Sequence, residues 1–255
     1  MPVDNVLKLY SKVIKSNYLH YGFWDNPGAV ILDDITLQEI KKAQNRYIEH
    51  LSSYIPKKVE SIIDVGCGIG GNASYLLKKK YKVDALSPDD YQKSVMLSKF
   101  NQLVPFHHTK FENFISTKKY DLILESESAC YINIDKGFKV AREILSDKGY
   151  ILASDYFVYF NDGSKNPHFK SSHDMSKYLS GAEENGFKLV KEYDQTDNTM
   201  PTLDYAQYFL ERFINPTLEY GTYSAKKNFP KIFLIIEKII RDKLQKKKMQ
   251  LKLID

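Results

Sequence analysis

Hydrophobic and polar positions follow two different patterns along this chain, one typical of strands and one typical of helices. From residue 60 onward, segments with the one pattern alternate with segments with the other. Short apolar, β-branched runs of strand length occur six times, and helical patterns lie between most of them. The predicted strands are 61–65, 82–86, 104–108, 120–125, 149–157 and 187–193. The predicted helices are 72–80, 90–101, 136–145 and 172–185.

Strands that alternate with helices are typical of a mostly parallel sheet covered on both faces. We therefore predict a doubly wound α/β core. A further alternating run at 249–254 predicts a last strand and a seven-stranded sheet. Residues 1–54 are predicted to form an N-terminal helical cap and residues 55–255 the main domain. Within that domain, residues 199–228 are aromatic-rich and predicted to be a helical insertion before the last strand.

The composition narrows the class of protein. A hydrophobic fraction of 43% and a charged fraction of 27% are ordinary globular values. No apolar run approaches the roughly 20 residues of a membrane span, and the first residues contain no signal peptide pattern, so we expect a cytoplasmic protein. The two cysteines, Cys67 and Cys130, are expected to be reduced thiols. No histidine pair has the spacing of a zinc site, so no metal is expected.

A net charge of +5 raises the possibility of a nucleic-acid partner. Much of the excess, however, comes from four lysines in one C-terminal segment, which suit a solvated helix face. These are Lys243, Lys246, Lys247 and Lys248. We therefore expect no nucleic-acid partner and leave the oligomeric state open.

The most informative motif is Asp-Val-Gly-Cys-Gly-Ile-Gly-Gly at residues 64–71, where the first strand turns into a helix. Glycines at 66, 68 and 70 let the backbone bend and approach a ligand closely, and helix N-terminal amides can donate to it. The spacing also fits the dinucleotide fingerprint, so an NAD-dependent oxidoreductase is an alternative. Asp64 favours S-adenosylmethionine, because a carboxylate suits an ammonium group and repels a pyrophosphate.

Over almost its full length the chain resembles the class I, Rossmann-like S-adenosylmethionine-dependent methyltransferases. The glycine motif and the segment Leu-His-Tyr-Gly-Phe-Trp at 19–24 resemble the branch with tocopherol, sarcosine/dimethylglycine and natural-product methyltransferases. The resemblance implies S-adenosylmethionine as cofactor and a small-molecule acceptor. It implies that Tyr21 and Trp24 close over the cofactor. The glycine-turn residues implied to bind the cofactor are Asp64, Gly66, Gly68 and Gly70.

The resemblance also implies which residues contact the ribose and the adenine of the cofactor. Most relatives have a ribose-binding acid at the position of Ala85. This branch lacks that acid and often uses a glutamine three residues after the serine that corresponds to Ser87, and this chain has Asp90 at that position. Asp90 is therefore the implied ribose ligand. Phe111 and Glu112 occupy the stretch that contacts adenine.

Candidate catalytic residues follow the fourth and fifth strands. Asp155 and Glu127 are carboxylates that could hold an amine or accept a proton, and Tyr131 stands where relatives have a histidine. The acceptor atom, O, N or C, stays open. The aromatic residues that resemble the family's substrate roof, and would suit an apolar or aromatic acceptor, are Tyr205, Tyr208, Phe209 and Phe213. Departures at Ala85, Lys110 and Tyr131 also permit an inactive, cofactor-binding module.

Overall fold

The computed structural model describes residues 12, 14–159, 172–232, 234, 235 and 238. The chain divides into two compact units, Met1–Thr202 and Leu203–Asp255. The strand predicted at 249–254 lies outside the described residues.

The first unit is built on a parallel sheet with the strand order β3-β2-β1-β4-β5. Its strands are β1 (Ser61–Val65), β2 (Lys82–Leu86), β3 (Phe106–His107), β4 (Tyr120–Ser126) and β5 (Leu145–Ser154). The predicted parallel α/β core is confirmed. The predicted strand count is wrong, because the main sheet has five strands within the described ranges and not seven.

Five helices accompany this sheet, and polar side chains fix where most of them begin. The helices are α1 (Leu37–Ser52), α2 (Gly71–Lys78), α3 (Asp90–Phe100), α4 (Ile134–Ile144) and α5 (Met175–Glu184). Each of α1, α3, α4 and α5 is preceded by a residue whose side chain accepts a hydrogen bond from the backbone N–H three residues on. These capping residues are Thr36, Asp89, Asn133 and Asp174.

Both faces of the sheet are buried. Successive residues of a strand point to opposite faces, and Ile62 and Ile63 of β1 accordingly belong to two different core clusters. One cluster includes Ile48 of α1 and Leu76 of α2, and the other includes Ile144 of α4. Burial on both sides explains why apolar residues stand at consecutive positions of these strands and not only at alternate ones.

The segment 187–193 is not a strand, contrary to the prediction. It alternates apolar and polar residues, but Leu189, Val190 and Tyr193 are at least half exposed. A strand pattern becomes a strand only if a neighbour pairs with it, and this segment has none in the described part of the chain.

Two short parallel strands, β6 (Phe157–Val158) and β7 (His173–Asp174), form a separate pair, so α5 begins later than the predicted residue 172.

Most of the described residues from 196 to 238 are helical. The helices are α6 (Thr196–Phe209), the π-helix Leu210–Ile214 and α7 (Asn215–Asn228). Among the described residues, no helix combines the length and apolarity that a membrane crossing requires.

Candidate active site

The first functional feature is the turn that connects β1 to α2. Gly66, Gly68 and Gly70 have φ angles of +71°, +55° and +76°, which side-chain-bearing residues rarely adopt. Packing also demands glycine, because a Cβ on Gly66 would lie 2.4 Å from Cβ of Ser128 and one on Gly70 would lie 2.5 Å from the ring of Phe100. The turn therefore places bare backbone at the carboxyl edge of the sheet, where parallel α/β folds bind ligands.

Asp64 lies in β1 immediately before this turn. It is 1% exposed, and neither carboxylate oxygen has a hydrogen-bond partner among the described residues. Burial raises its pKa to about 7. A buried carboxylate without a partner is costly, and a cationic ligand group would offset that cost. This orphaned carboxylate fits the ammonium group of an amino-acid-like cofactor.

The end of β2 carries the next two predicted residues. Ser87 is buried, its N–H donates to the carbonyl of His107, and its hydroxyl accepts from the N–H of Asp89. Asp90 is the first residue of α3, half exposed, with Oδ1 3.4 Å from Nε2 of His108. A carboxylate at a helix N-terminus is favoured by the helix dipole, so Asp90 has a structural role in addition to the predicted ribose contact.

The predicted adenine contacts already have protein partners. The Phe111 ring is 2% exposed and packs in the core cluster that contains Ile63. Oε1 of Glu112 accepts a hydrogen bond of 3.0 Å from the N–H of Asn133, the capping residue of α4. The contacts of these two residues with adenine stay a prediction.

The N-terminal segment lies across the carboxyl edge of the sheet. His20 is buried, its Nε2 is 3.1 Å from Oδ1 of Asn72 in α2, and burial lowers its pKa to about 4. The N–H of the next residue, Tyr21, donates to Oε1 of Glu127 at 2.8 Å. Burial raises the pKa of the Tyr21 phenol to about 12, so this phenol is protonated at neutral pH. The segment thus connects the glycine turn side of the site to the end of β4.

Trp24 is only 7% exposed, and its indole N–H donates to Oγ1 of Thr202 at 3.0 Å. The same hydroxyl accepts from the N–H of Gly22. These bonds hold Trp24 in the packing between the N-terminal segment and the start of α6. Its predicted closure over the cofactor stays a prediction.

Two predicted catalytic carboxylates follow β4 and β5. Glu127 has a φ of +55°, and burial raises its pKa to about 8. Asp155 accepts hydrogen bonds from the N–H groups of Cys130 and Tyr156 at 2.8 and 2.7 Å, yet burial still raises its pKa. The charge of Asp155 also raises the pKa of Glu127, because like charges oppose ionisation. The structure therefore brings together the two residues that the sequence proposed.

A third carboxylate, Glu125, belongs to the same group and was missed from the sequence. It is 5% exposed, its Oε2 accepts from the hydroxyl of Tyr178 in α5 at 3.0 Å, and burial raises its pKa to about 7. Glu125 lies in β4, one residue before the strand ends, whereas Glu127 follows the strand with a left-handed backbone conformation. The position at the strand end was the available signal for Glu125, whereas its partner Tyr178 is 53 residues away in the sequence and gave none.

Tyr131 is more exposed than these groups, although its phenol is close enough to raise the pKa of Tyr21. Its side chain is 74% exposed, at the end of the short 3-10 helix Ala129–Tyr131. Nε2 of His173 lies 3.0 Å from the carbonyl of Ala129 and 2.8 Å from that of Ile132. His173, missed from the sequence, therefore fixes the loop whose Cys130 N–H holds Asp155.

Tyr47 and Ser154 form a second missed set of contacts near the end of β5. The Tyr47 hydroxyl and the Ser154 hydroxyl are 2.6 Å apart, and Nε2 of Gln195 donates to the same serine at 2.7 Å. Burial raises the pKa of Tyr47 far above its usual range. Among the described residues, no group of three His, Cys, Asp or Glu side chains could hold a metal ion.

Comparison with known proteins gives one family and one fold. Residues 38–197 match a family described as a methyltransferase domain. Tocopherol O-methyltransferase, chloroplastic, of Arabidopsis thaliana is 37% identical over 73 residues, which are 26% of this chain and 20% of that protein. The match thus spans only a fifth of the curated relative.

Several solved structures share the fold at low identity. A protein from Galdieria sulphuraria described as a sarcosine dimethylglycine methyltransferase has a TM-score of 0.68 and 18% identity, covering 86% of this chain and 89% of its own. Geranyl diphosphate C-methyltransferase from Streptomyces coelicolor A3(2), solved with S-adenosyl-L-homocysteine, has a TM-score of 0.64 and 17% identity, covering 78% of this chain and 81% of its own. The [4+2]-cyclase SpnF has a TM-score of 0.64 and 15% identity, covering 89% of this chain and 85% of its own.

Proposed function

This chain belongs to the methyltransferase-domain family, of the class I S-adenosylmethionine-dependent type, and we propose that it methylates an oxygen or nitrogen atom of a small, uncharged or cationic acceptor. The family match confirms the resemblance that the glycine motif suggested and favours it over the NAD-dependent alternative. The partly buried carboxylates of Glu127 and Asp155, which directly follow β4 and β5, are the observation that supports this class of acceptor.

The residues at the end of β1 fit the cofactor of this family. Asp64 is buried with both oxygens unsatisfied, and an ammonium group would complete it. The bare backbone of Gly66, Gly68 and Gly70 leaves room for the adjoining part of the ligand. Ser87 and Asp90 lie at the end of the neighbouring strand β2, where we propose the ribose contacts. When bound, S-adenosylmethionine supplies an electrophilic methyl group.

Glu127 and Asp155 shape the acceptor side. Their raised pKa values mean that both resist ionisation until a positive charge or a proton donor arrives. An acceptor with a carboxylate or phosphate beside them would be repelled, whereas an amine or a hydroxyl can donate to them. This charge pattern is why we propose a nitrogen or oxygen acceptor without negative charge at the reacting end.

Glu127 is the proposed proton acceptor. With a pKa of about 8, roughly a tenth of this carboxyl is ionised at pH 7 and half of it at pH 8, which suits a general base that becomes active as the pH rises. The N–H of Tyr21 donates to this carboxylate and fixes one of its oxygens. The Cys130 and Tyr156 N–H groups fix Asp155 in the same way, so Asp155 is proposed to orient the acceptor.

The test is transfer of labelled methyl groups from S-adenosylmethionine to a panel of amines, phenols, carboxylic acids and apolar alkenes. We expect turnover with amines or phenols, and a kcat that rises with pH through about 8. Glu127→Gln should reduce kcat by on the order of a hundredfold, the usual scale for loss of a general base, and abolish this rise. Turnover confined to carboxylic acids or alkenes would contradict the proposed acceptor.

Glu125→Gln is the matched control. Glu125 is a buried glutamate two residues before Glu127 that already has a hydroxyl partner in Tyr178. Its amide replacement should leave the rise of kcat through about pH 8 in place. Loss of that rise in Glu125→Gln alone would assign the base to Glu125 and not to Glu127.

A cofactor-binding module without transferase activity is the second candidate. SpnF shares the fold and is described as a cyclase, so this fold does not by itself fix the reaction. The exposed Tyr131, where relatives have a histidine, favours this candidate. Binding of S-adenosylhomocysteine without turnover on any acceptor of the panel would support it.

A further inference from the structure

The sheet contains a second buried polar side chain without a hydrogen-bond partner besides Asp64. Among the strand residues that the structure describes, the buried side-chain atoms without a partner are the two carboxylate oxygens of Asp64 in β1 and the hydroxyl of Ser126 in β4. Ser126 is only 8% exposed. A buried hydroxyl without a partner is costly, because it has given up its hydrogen bonds to water. Ser126 therefore invites the same question as Asp64, namely which ligand group completes it.

Ser126 and Asp64 lie on the same face of the sheet. Ile62 and Leu124 both belong to the core cluster that contains Ile48 of α1. Side chains two residues apart along a strand share a face, and Asp64 follows Ile62 by two residues just as Ser126 follows Leu124. The two unsatisfied side chains therefore both lie on the face that α1 covers.

The strand register sets the distance between the two residues. Asp64 pairs with Leu124, and Ser126 is two residues closer to the carboxyl edge of the sheet. A strand spacing of about 4.8 Å and a rise of about 3.3 Å per residue put the two Cα atoms about 8 Å apart. The side chains do not bond to each other, because all three oxygen atoms lack a partner. One ammonium group, with hydrogen bonds of about 2.8 Å, is of the right size to bridge them.

Neighbouring contacts hold Ser126 in place relative to Asp64. The hydroxyl of Ser128 donates to the carbonyl of Val65 at 2.6 Å, which ties the segment after β4 to the residue after Asp64. The Ser126 hydroxyl is also close enough to the Tyr47 phenol to oppose the rise in the pKa of that phenol. An O–H that points toward the phenol oxygen leaves the lone pairs of Ser126 available to a donor.

We propose that the Ser126 hydroxyl accepts a hydrogen bond from the ammonium group of S-adenosylmethionine and thus binds this group together with Asp64. An ammonium group has three N–H donors, and the three unpartnered oxygen atoms of the two residues match that number. A carboxylate or phosphate in the same place would bring like charge to Asp64. The inference rests on the cofactor contact proposed for Asp64 and does not depend on the acceptor.

The test is calorimetric titration of the full chain with two ligands, S-adenosylhomocysteine and a deaminated analogue that has hydrogen in place of the ammonium group. We expect Ser126→Ala to bind S-adenosylhomocysteine on the order of tenfold more weakly, the usual scale for a hydrogen bond to a charged group. Its affinity for the analogue should stay within about twofold of the wild-type value, because the analogue has no donor for the hydroxyl. The thermal midpoint should not fall, because an unsatisfied hydroxyl is being removed.

Ser154→Ala is the matched control. Ser154 pairs with Ser126 between β5 and β4, and its hydroxyl already has partners in Tyr47 and Gln195. Its affinity for both ligands should therefore stay within about twofold of the wild-type value. A tenfold loss in Ser154→Ala, an equal loss for both ligands in Ser126→Ala, or an unchanged S-adenosylhomocysteine affinity in Ser126→Ala would each overturn the proposal. Unchanged affinity in Asp64→Asn would instead refute the cofactor contact on which the inference rests.

Discussion

Two buried aspartates on adjacent strands of the sheet have opposite surroundings. Asp64 of β1 is 1% exposed, and its carboxylate has no hydrogen-bond partner among the described residues. Asp84 of β2 is 4% exposed and accepts hydrogen bonds from His107, Lys118 and Tyr120 at 3.1, 2.5 and 2.8 Å. Their strands pair directly, so the difference does not come from depth in the fold.

The pKa values of the two aspartates move in opposite directions. Burial raises the pKa of Asp64 to about 7. Burial would also raise the pKa of Asp84, but the hydrogen bonds from its three partners outweigh it and lower the pKa. The protein satisfies Asp84 with its own side chains and leaves Asp64 for a ligand. A buried acid without protein partners therefore marks a binding site, whereas a satisfied one marks structure.

The largest effect is expected from Asp64→Asn. The amide keeps the shape of the side chain but cannot form an ion pair with an ammonium group, so S-adenosylhomocysteine should bind on the order of a hundredfold more weakly, or about 2.7 kcal/mol. Isothermal titration calorimetry measures this directly. The thermal midpoint should not fall, because an unsatisfied carboxylate is being removed. Unchanged affinity would show that Asp64 does not face the cofactor.

Asp84→Asn should show the reverse. Lys118 donates to Oδ1 of Asp84 and Tyr120 donates to Oδ2, whereas an amide offers an oxygen at only one of these two positions and has no charge to pair with Lys118. We therefore expect a loss of about 2 kcal/mol in the free energy of unfolding, reduced from the usual cost of a broken buried pair because Lys118 is half exposed. Urea unfolding measures it. Affinity for S-adenosylhomocysteine should stay within about twofold. A variant that unfolds normally but fails to bind would make Asp84 part of the site.

The sequence predicted one member of this pair and missed the other. Asp64 stands beside three glycines, and a carboxylate next to a sharp turn is visible in the sequence. Asp84 obtains its partners from positions 23 to 36 residues away, which meet only because β2 pairs with β3 and is separated from β4 by β1 alone. Long-range side-chain contacts of this kind leave no local pattern.

The dependence on long-range contacts also explains which parts of the fold were predicted correctly and which were not. Continuous apolar runs such as 61–65 and 120–125 identified strands buried on both faces. The run 187–193 alternates like a strand but depends on a neighbour that periodicity does not reveal. Glu127 and Asp155 were predicted from their positions after strands, whereas Glu125 was not, because its burial and its bond to Tyr178 depend on α5.

A smaller effect is expected in how the free energy of unfolding of the two aspartate variants depends on pH. A raised folded pKa means that Asp64 costs stability as pH rises from about 4 to about 7, so the stability gained by Asp64→Asn over wild type should grow by about 1 kcal/mol per pH unit there. A lowered folded pKa means that the contribution of Asp84 is present above about pH 4 and lost only in more acidic solution. The deficit of Asp84→Asn should therefore be constant between about pH 5 and 7. Urea unfolding at several pH values measures both trends, and parallel trends in the two variants would remove the distinction.

The most direct test is the count of protons released when S-adenosylhomocysteine binds, obtained by calorimetry near pH 7 in buffers of different ionisation enthalpy. With a pKa of about 7 in the free protein, Asp64 is half protonated, and pairing with an ammonium group should ionise it. We predict release of roughly half a proton by the wild-type protein, approaching one near pH 6, and none by Asp64→Asn. Tight binding without proton release in the wild-type protein would contradict the account.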